Sequence, residues 1–554
     1  MKKFTDLITL QANHRHQVIF LMLVISMLYF FNFYVNDIWT PNESFYAESV
    51  REMFESGNFL DIKYNYEPRY NKPPLTYWLI ATSSFIFGLN EFGIRLPIVL
   101  LTIGSVWLTY LLGKRLYGEK GGVYSLMIMA VSVQLMAVKQ YASPEIPLTF
   151  FFTLTLYWFL KGYQDNKPKY LYLAYVALGL TVLTKGYPYI VVIGGIIGLF
   201  ILMDSKFNIR NAFKKAGPLK LHFGIPIALI IGMSWVAYMY LAYGQDFWEI
   251  FQRETFERAF TRNEKSMRPF FYIEVISWTI LPYSLAFFVV LAYYLASPKK
   301  LNTQIAFPFA WFIVMFIIFT AAKGKIPTYF IQAHPAMALI ITALLVSETS
   351  KKTAFLKALK ISFYLPALLI LAISYVAVYF LGLALIWYLI PLLFTALIII
   401  IFAKTKGTQS IDIQISVPFF AILGVYILVA AYLKPIEKYR PYDKIGSVIN
   451  EQENIDPSIP ILIEKTLIHN IPFYAQRPAL RDQTPEQINS NQGKTLALVR
   501  AESLAGISGF ETLWTGMIYD FPSESQFAKF IKACIDAEKG DFSKFAKYYL
   551  LYKD

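Results

Sequence analysis

Two carboxylates at the edges of apolar segments are the residues most able to do acid or base chemistry. Glu43 lies in Thr40-Pro-Asn-Glu43, and Glu145 lies in Ser143-Pro-Glu-Ile-Pro147. A carboxylate that enters an apolar span is costly, so it is usually functional or paired within the bundle. Alternatively, Glu43 closes a capping box, with Thr40 as the N-cap, Pro41 at the first helical position and Glu43 at the third. Glu145 is alternatively an interfacial residue in contact with water, with no catalytic role.

Several basic residues and one tyrosine also lie at the ends of apolar segments. Lysines at helix ends commonly extend toward lipid headgroups, and each of these lysines, taken alone, is most simply interpreted in that way. Basic residues are depleted on the outer side of a membrane, however, so a cluster there favours binding of an anion such as a lipid phosphate. Tyr329 could donate to the same phosphate or be an ordinary interfacial aromatic residue. The candidate phosphate ligands are Lys72, Lys185, Arg258, Lys323, Lys325 and Tyr329.

The composition places these residues in a membrane protein. The chain has 554 residues, of which 56% are hydrophobic and 16% are charged. A soluble protein of this size could not bury so much apolar surface in its core. The net charge of +14 comes from short basic clusters between apolar segments, which indicates loops facing anionic lipid and argues against nucleic-acid binding. Cys534 is the single cysteine, which excludes an intrachain disulfide and a cysteine metal cluster.

The charges that flank the apolar segments predict the topology. Fourteen apolar stretches lie between Val18 and Leu433, and several of them, including 270–296, are long enough to be candidate spans. If all of them crossed, basic loops such as 204–220 would fall outside, against the positive-inside rule. The segment 75–89 is short and follows Pro73-Pro74, so we expect it to lie at the interface. About 13 crossings then remain, with a cytoplasmic N-terminus and the candidate residues on the outer face.

The chain divides into two predicted parts. Residues 1–433 form an all-α polytopic membrane domain, whose outer loop 36–94 carries interfacial helices that include one at 41–55. Residues 434–554 alternate short apolar runs with helix-like stretches, which is typical of a small α/β domain on the outer side.

Several motifs occur in an order that resembles a known family. The resemblance is to the polyprenyl-phosphate-sugar glycosyltransferases of the GT-C superfamily, in particular the bacterial aminoarabinose transferase and protein mannosyltransferase-like group. That family has 13 helices, interfacial helices in the first outer loop and a small outer C-terminal domain. The motifs cover about residues 1–340 and are Asn42-Glu-Ser-Phe-Tyr-Ala-Glu48, Asn71-Lys-Pro-Pro-Leu-Thr-Tyr-Trp78, Asn90-Glu-Phe-Gly-Ile-Arg-Leu-Pro97, Leu183-Thr-Lys-Gly186, Asp246-Phe-Trp followed by Arg258, and Ala322-Lys-Gly-Lys-Ile-Pro-Thr-Tyr329.

The resemblance implies an activity at the outer face of the bacterial inner membrane. A sugar passes with inversion from a polyprenyl-phosphate donor to an acceptor, which could be a lipid A-like lipid, a glycan or a protein. It places Asn42, Glu43 and Glu145 at the reacting centre and the cations and Tyr329 around the donor phosphate.

The chain departs from the family at two acids. The family motif begins Asp-Glu where this chain has Asn42-Glu43, and an amide cannot accept a proton. The acid that precedes Lys-Pro is Asn71 here. In some members that acid contributes to a metal site, so no cofactor is predicted and a divalent metal stays an open alternative.

Two other functions are consistent with parts of this pattern. A transporter or flippase for a lipid-linked sugar would show paired broken helices or repeats near the membrane midplane. The ionisable residues gather at one face instead, which favours an enzyme. An inactive relative with a binding role is suggested by the two asparagines, whereas Glu145 and the cation set argue against it.

Overall fold

The computed structural model describes residues 7, 10, 13–39, 41–253, 268–297, 302–347, 353–404, 411–452, 455–464, 468–520 and 527–554. Two residues used in the predictions, Thr40 and Arg258, lie outside these ranges. The described chain is mostly helical up to residue 432 and becomes mixed α/β after it.

The segment 36–94, which is predicted to form the first outer loop, carries two helices and a short hairpin. The predicted helix at 41–55 is present as α2, and the short segment at 75–89 is present as α3. At 13 residues, α3 is about 20 Å long, which is too short to cross a hydrocarbon core of about 30 Å. Its last residues, Phe85, Ile86 and Phe87, are exposed, as expected of a helix end that contacts lipid. The bounds up to this point are α1 His14–Phe30, α2 Asn42–Ser56, β1 Lys63–Tyr64, β2 Glu67–Pro68 and α3 Leu75–Phe87.

The helices that follow form the membrane domain. Two of them are interrupted by glycines with a positive φ, Gly118 at 78° and Gly244 at 58°, so each consists of two shorter helices. The bounds are α4 Glu91–Ala130, α5 Val133–Val138, α6 Glu145–Asp165, α7 Pro168–Lys185, α8 Pro188–Asp204, α9 Ile209–Ala216, α10 Leu221–Gln252, α11 Phe271–Thr279, α12 Ser284–Leu295, α13 Thr303–Ala321, α14 His334–Val346, α15 Thr353–Phe380, α16 Leu389–Lys404 and α17 Ile411–Tyr432.

Seven helical segments in the described ranges are long and apolar enough to cross a membrane, fewer than the 13 predicted. Four other apolar helices have only 10 to 17 residues, among them α1, α3 and α8. The predicted span 270–296 is broken into α11 and α12, neither long enough to cross alone. The seven are 91–130, 221–252, 303–321, 327–346, 355–380, 385–403 and 414–432.

Small residues allow α7 and α10 to pack closely. A Cβ on Gly179 would lie 2.7 Å from Ile231 Cβ, and a Cβ on Gly232 would lie 2.7 Å from Val182 Cβ. Each glycine therefore faces the other helix, which brings the backbones of α7 and α10 together. This contact fixes the position of α7, whose last residue is Lys185.

The C-terminal part contains the predicted α/β domain. Its mixed sheet has the order β4-β3-β5-β7-β6, with β3 parallel to β4 and β5, and β7 antiparallel to β5 and β6. The central strand β5 is buried along almost its whole length. The bounds are α18 Tyr442–Asn450, β3 Ile461–Glu464, α19 Ile471–Ala475, β4 Ala479–Gln483, α20 Pro485–Ser490, β5 Thr495–Arg500, β6 Glu511–Tyr519, α21 Phe527–Glu538 and β7 Phe545–Lys553.

This domain is tied to the segment that follows α1. The Arg440 guanidinium lies 3.8 Å from the centroid of Trp39 and donates to the carbonyls of Asp37 and Ile38 at 2.9 and 3.1 Å. The Tyr64 hydroxyl lies 3.0 Å from His469 Nδ1. The domain thus packs directly against the first outer loop.

Candidate functional site

Glu145 and Lys185 form a partly exposed ion pair at one end of two neighbouring helices. Glu145 is the first residue of α6 and Lys185 is the last residue of α7. A tight turn through Asn166 joins the two helices, so the start of α6 meets the end of α7. Lys185 Nζ donates to Glu145 Oε1 at 3.0 Å, and the two side chains are 8% and 16% exposed. Each charge also complements the dipole of its own helix end.

Tyr329 completes a three-residue cluster with this pair. It lies in the 3₁₀ helix Pro327–Ala333, and its ring centroid is 4.7 Å from Lys185 Nζ. An ammonium this close to an aromatic face is attracted to it. Three of the predicted residues, Glu145, Lys185 and Tyr329, are therefore in contact through Lys185. We call them the Glu145 cluster.

Two aromatic residues from the outer loop lie near this cluster. Tyr46 of α2 stacks on Tyr77 of α3, with ring centroids 4.4 Å apart. Burial raises the pKa of Tyr46 well above its ordinary value, with further contributions from Tyr77 and from the negative charge of Glu145, while Arg69 opposes them. The charges of Glu145 and Arg69 therefore both act on the Tyr46 hydroxyl, with opposite effects on its pKa.

Arg69 is a cation of this region that the sequence analysis missed. Its guanidinium lies 3.9 Å from the centroid of Phe45, and its buried Nε has no hydrogen-bond partner among the described residues. A buried donor without a partner costs free energy, so it is often found where a ligand binds. The sequence signal that could have identified Arg69 as a candidate is its position three residues before Lys72.

Glu43 occupies a different environment. It is fully buried and accepts two hydrogen bonds from Arg95, at 2.9 Å from Nε and 2.7 Å from Nη2. The backbone N–H groups of Trp39 and Ala142 donate to the same carboxylate at 2.8 and 3.0 Å. These four bonds use the acceptor positions of a carboxylate, so Glu43 has no lone pair left to accept a proton.

The Glu43–Arg95 pair instead holds three segments together. Arg95 also donates to the carbonyls of Asn36 and Asp37 at 2.6 and 3.0 Å. The pair therefore links the segment after α1, the start of α4 and the turn at Ala142, three residues before Glu145. The predicted capping box is wrong, because α2 begins at Asn42 after Pro41, so Glu43 is its second residue and accepts from the N–H of Trp39. Thr40 lies outside the described residues.

The other predicted residues range from exposed to buried. Asn42 is exposed at the first position of α2, and Lys323 is also exposed. Lys72 Nζ donates to the carbonyl of Asn71 at 2.9 Å. Lys325 is only 3% exposed and its Nζ donates to the carbonyl of Arg268 at 3.3 Å. Arg258 is not among the described residues.

The described residues do not offer a set of ligands for a metal ion. No three His, Cys, Asp or Glu side chains within the described ranges lie close enough together to hold one. Asn71 is buried and its Oδ1 has no hydrogen-bond partner among those residues. One amide oxygen falls short of the several oxygen ligands that hard divalent cations require.

Comparison with known proteins finds similarity to membrane glycosyltransferases over part of the chain. The family model described as dolichyl-phosphate-mannose-protein mannosyltransferase matches residues 71–238. An uncharacterized protein of Aquifex aeolicus is 34% identical over 513 residues, which cover 92% of this chain and 95% of that protein. The undecaprenyl phosphate-alpha-4-amino-4-deoxy-L-arabinose arabinosyl transferase 1 of Proteus mirabilis is 27% identical over 339 residues. That match covers 59% of this chain and 59% of the length of the transferase.

The fold matches a solved structure over most of its length. The crystal structure of ArnT from Cupriavidus metallidurans bound to undecaprenyl phosphate superposes with a TM-score of 0.74 and 16% identity. The match covers 90% of this chain and 96% of that one. The chain therefore has the fold of that ArnT structure, and its residues 71–238 match the model of the dolichyl-phosphate-mannose-protein mannosyltransferases.

Proposed function

We propose that the chain transfers a sugar, with inversion, from a polyprenyl phosphate to an acceptor at the outer face of the bacterial inner membrane. The observation that carries this proposal is the Glu145 cluster, in which a carboxylate, an ammonium and a phenol meet where two helices end. An acid and a cation within 3.0 Å of each other suit a reaction that separates a phosphate from a sugar.

In this reaction the acceptor oxygen attacks the anomeric carbon from the face opposite the phosphate. The bond from that carbon to the phosphate oxygen breaks, and the polyprenyl phosphate leaves with the bonding electron pair. A phosphate leaving group needs cations and hydrogen-bond donors around its developing charge. We assign that role to Lys185 and Tyr329, with Arg69 and Lys72 from the outer loop and with Lys323, Lys325 and Arg258 as further candidates.

Glu145 is our candidate for the carboxylate that accepts the acceptor's proton. It is partly exposed and its ion pair with Lys185 uses a single oxygen, whereas Glu43 has its oxygens committed to Arg95 and two backbone groups. We therefore assign Glu43 a positioning role. An acceptor that is itself a phosphate would need little base, and a hydroxyl acceptor would need Glu145. Asn42 can contribute no base in either case.

The donor and the acceptor are proposed at different levels of detail. The arabinosyl transferases among the relatives carry undecaprenyl phosphate in their names, which supports an undecaprenyl-phosphate sugar as donor. A lipid A-like lipid, a glycan and a protein are the acceptor classes to compare.

The positive-inside pattern supports about 13 crossings, with the shorter helices contributing to them and the α/β domain on the outer side.

The proposal is tested with purified protein in detergent. A radiolabelled undecaprenyl-phosphate sugar is incubated with separate lipid, glycan and protein fractions of cell envelopes, and the transfer of label is measured. We expect Glu145→Gln to lower the rate by about 100-fold to 10,000-fold, as for the loss of a general base. Glu67→Gln, the same change at an exposed residue of the outer loop, should leave the rate unchanged.

A hydroxyl acceptor whose labelling rate does not change in Glu145→Gln would overturn the assignment of Glu145 as the base. Movement of the intact donor across liposomes without release of polyprenyl phosphate would overturn the proposed transfer and make the chain a transporter.

A further inference from the structure

A cavity of about 770 Å³ lies between the start of α1 and the middle of α4. Its walls are residues 13–19 of the first helix and residues 107–119 of the second. None of these residues belongs to the Glu145 cluster or to the Glu43–Arg95 pair.

The cavity lies at the membrane face opposite the candidate site. Arg95 and Lys114 are 19 residues apart on one continuous stretch of α4, before the break at Gly118. At 1.5 Å per residue this separation is about 28 Å, close to the thickness of a hydrocarbon core. Because Arg95 marks the outer end of α4, Lys114 and the cavity mark its other end.

The side chains of the cavity are arranged in a polar and an apolar layer. The two helices run in opposite directions, so the first turn of α1 lies beside the Lys114 end of α4. Arg15 and Lys114 therefore lie at the same level, while Ile19 and Trp107 lie one to two turns deeper. Trp107 stacks on Tyr110 with ring centroids 4.9 Å apart.

The polar layer favours an anion. Arg15 and Lys114 outnumber the single acid Glu119, which pairs with Lys114 at 2.6 Å. The N-terminus of α1 opens into the same layer, with Asn13 accepting from the Arg15 N–H. The positive end of the helix dipole adds to the charge of the two side chains.

The apolar layer favours a ligand with a hydrocarbon tail. Ile19 and Trp107 are 49% and 39% exposed, and Leu23 continues the exposed apolar surface one turn deeper along α1. A free anion would use only the polar layer, whereas an amphiphile would use both. A tryptophan at this level is also typical of the boundary between headgroups and acyl chains.

We infer that this cavity binds a phospholipid with an anionic headgroup, from the leaflet opposite the one that contains the catalytic site. The phosphate lies between Arg15, Lys114 and the start of α1, and an acyl chain follows Ile19 and Trp107. The inference is independent of the proposed transfer reaction, since it uses none of its residues.

Binding is measured by titrating the delipidated protein in detergent with dioleoylphosphatidylglycerol and counting bound lipid by native mass spectrometry. We expect the double variant Arg15→Gln/Lys114→Gln to bind this lipid about 30-fold more weakly, since each basic side chain near a membrane surface contributes about a fivefold factor. Glu119→Gln should bind it more tightly, because Lys114 loses its competing partner. A gain of affinity cannot come from misfolding.

The matched control is Arg210→Gln/Lys214→Gln, which removes the same charge from the exposed helix α9 in the predicted loop 204–220. Its affinity should stay that of the unmodified protein. Equal weakening in both double variants would overturn the inference, because binding would then be a general effect of charge. Equal affinity for dioleoylphosphatidylcholine, or full competition by inorganic phosphate, would overturn it as well.

Discussion

At the scale of single residues, two glutamates at helix starts have opposite environments. Glu43 is enclosed by Arg95 and two backbone N–H groups, while Glu145 shares one oxygen with Lys185 at a partly exposed helix end. Both follow a proline near the edge of an apolar segment, so their sequence contexts look alike. The difference lies in whether an arginine from another helix reaches the carboxylate.

Breaking the Glu43–Arg95 pair should destabilise the protein strongly. Removing one partner leaves an uncompensated buried charge or an unpaired carboxylate, which costs about 3–5 kcal/mol. We expect Glu43→Gln and Arg95→Met each to lower the unfolding temperature in detergent. Lys494→Gln, which breaks an exposed ion pair with Asp554, should not change it measurably.

The same variants separate a positioning role from a base. If Glu43 acts through the geometry that it shares with Arg95, both variants should lose similar transfer activity at a temperature where they are folded. Activity that is abolished in Glu43→Gln and largely kept in Arg95→Met would show that Glu43 itself takes the proton.

At the scale of elements, α2 is an outer-loop helix with an unusual number of buried charges. Glu48 accepts two hydrogen bonds from Arg51, both at 2.8 Å. Glu52 lies one turn later, accepts from the Tyr66 N–H at 3.0 Å and has a buried second oxygen without a partner among the described residues. Burial and the nearby Glu48 raise the pKa of Glu52 to about 8.

This raised pKa predicts that the stability of α2 falls as the pH rises from about 5 to about 8. An acid whose pKa is higher in the folded state binds its proton more tightly there, so its stabilising contribution is complete below the unfolded pKa of about 4.3 and is lost as the pH rises through about 8. We expect the unfolding temperature to fall between pH 5 and pH 8.5. Glu52→Gln, which keeps the shape of the protonated form, should reduce that fall, whereas an unchanged slope would assign it to other groups.

Element boundaries were predicted well where local signals are strong. The helices expected at 41–55 and 75–89 occur at Asn42–Ser56 and Leu75–Phe87. Their ends could be predicted because a proline precedes each helix and a glycine follows it. The count of spans was less accurate. Apolar runs such as 270–296 read as one segment by hydropathy but are divided by local backbone geometry that hydropathy does not record.

At the scale of the whole molecule, the C-terminal domain and the membrane domain meet at the segment that contains Glu43. Arg440 bonds to Asp37 and Ile38 and covers Trp39, whose N–H donates to Glu43. The position of the C-terminal domain is therefore coupled to the segment that supports the site.

Replacing Arg440 should loosen this coupling. Arg440→Met removes one of the two donors to each carbonyl, since Asp37 also accepts from Arg95 and Ile38 from Asn470, and it removes the cation that lies over the Trp39 ring. We expect faster cleavage between the two domains in limited proteolysis and a lower transfer rate. Arg481→Met, which breaks an exposed pair with Asp482, should behave like the unmodified chain. Unchanged proteolysis of Arg440→Met would show that other contacts suffice.

The proposed topology predicts which side of the membrane each region faces. Cys534 is buried, so the native chain provides a nearly unlabelled background for added cysteines. We expect Lys494→Cys to react with a membrane-impermeant maleimide from the outer side, and Lys214→Cys to react only after the membrane is disrupted. If both cysteines were labelled from the same side, the chain would cross the membrane an even number of times between residues 214 and 494, which would contradict the proposed topology.

The sequence by itself determined the class of the protein, the short outer-loop helices, the α/β tail and the family motifs. These properties depend on composition, local periodicity and residue order, which a linear chain displays. Only the tertiary structure decided which charges meet. It paired Glu43 with Arg95, joined Glu145 to Lys185 and Tyr329, and brought Arg69 close to the same region. Such pairings depend on how distant helices pack, and a partner 40 or 52 residues away has no fixed spacing by which a sequence could identify it.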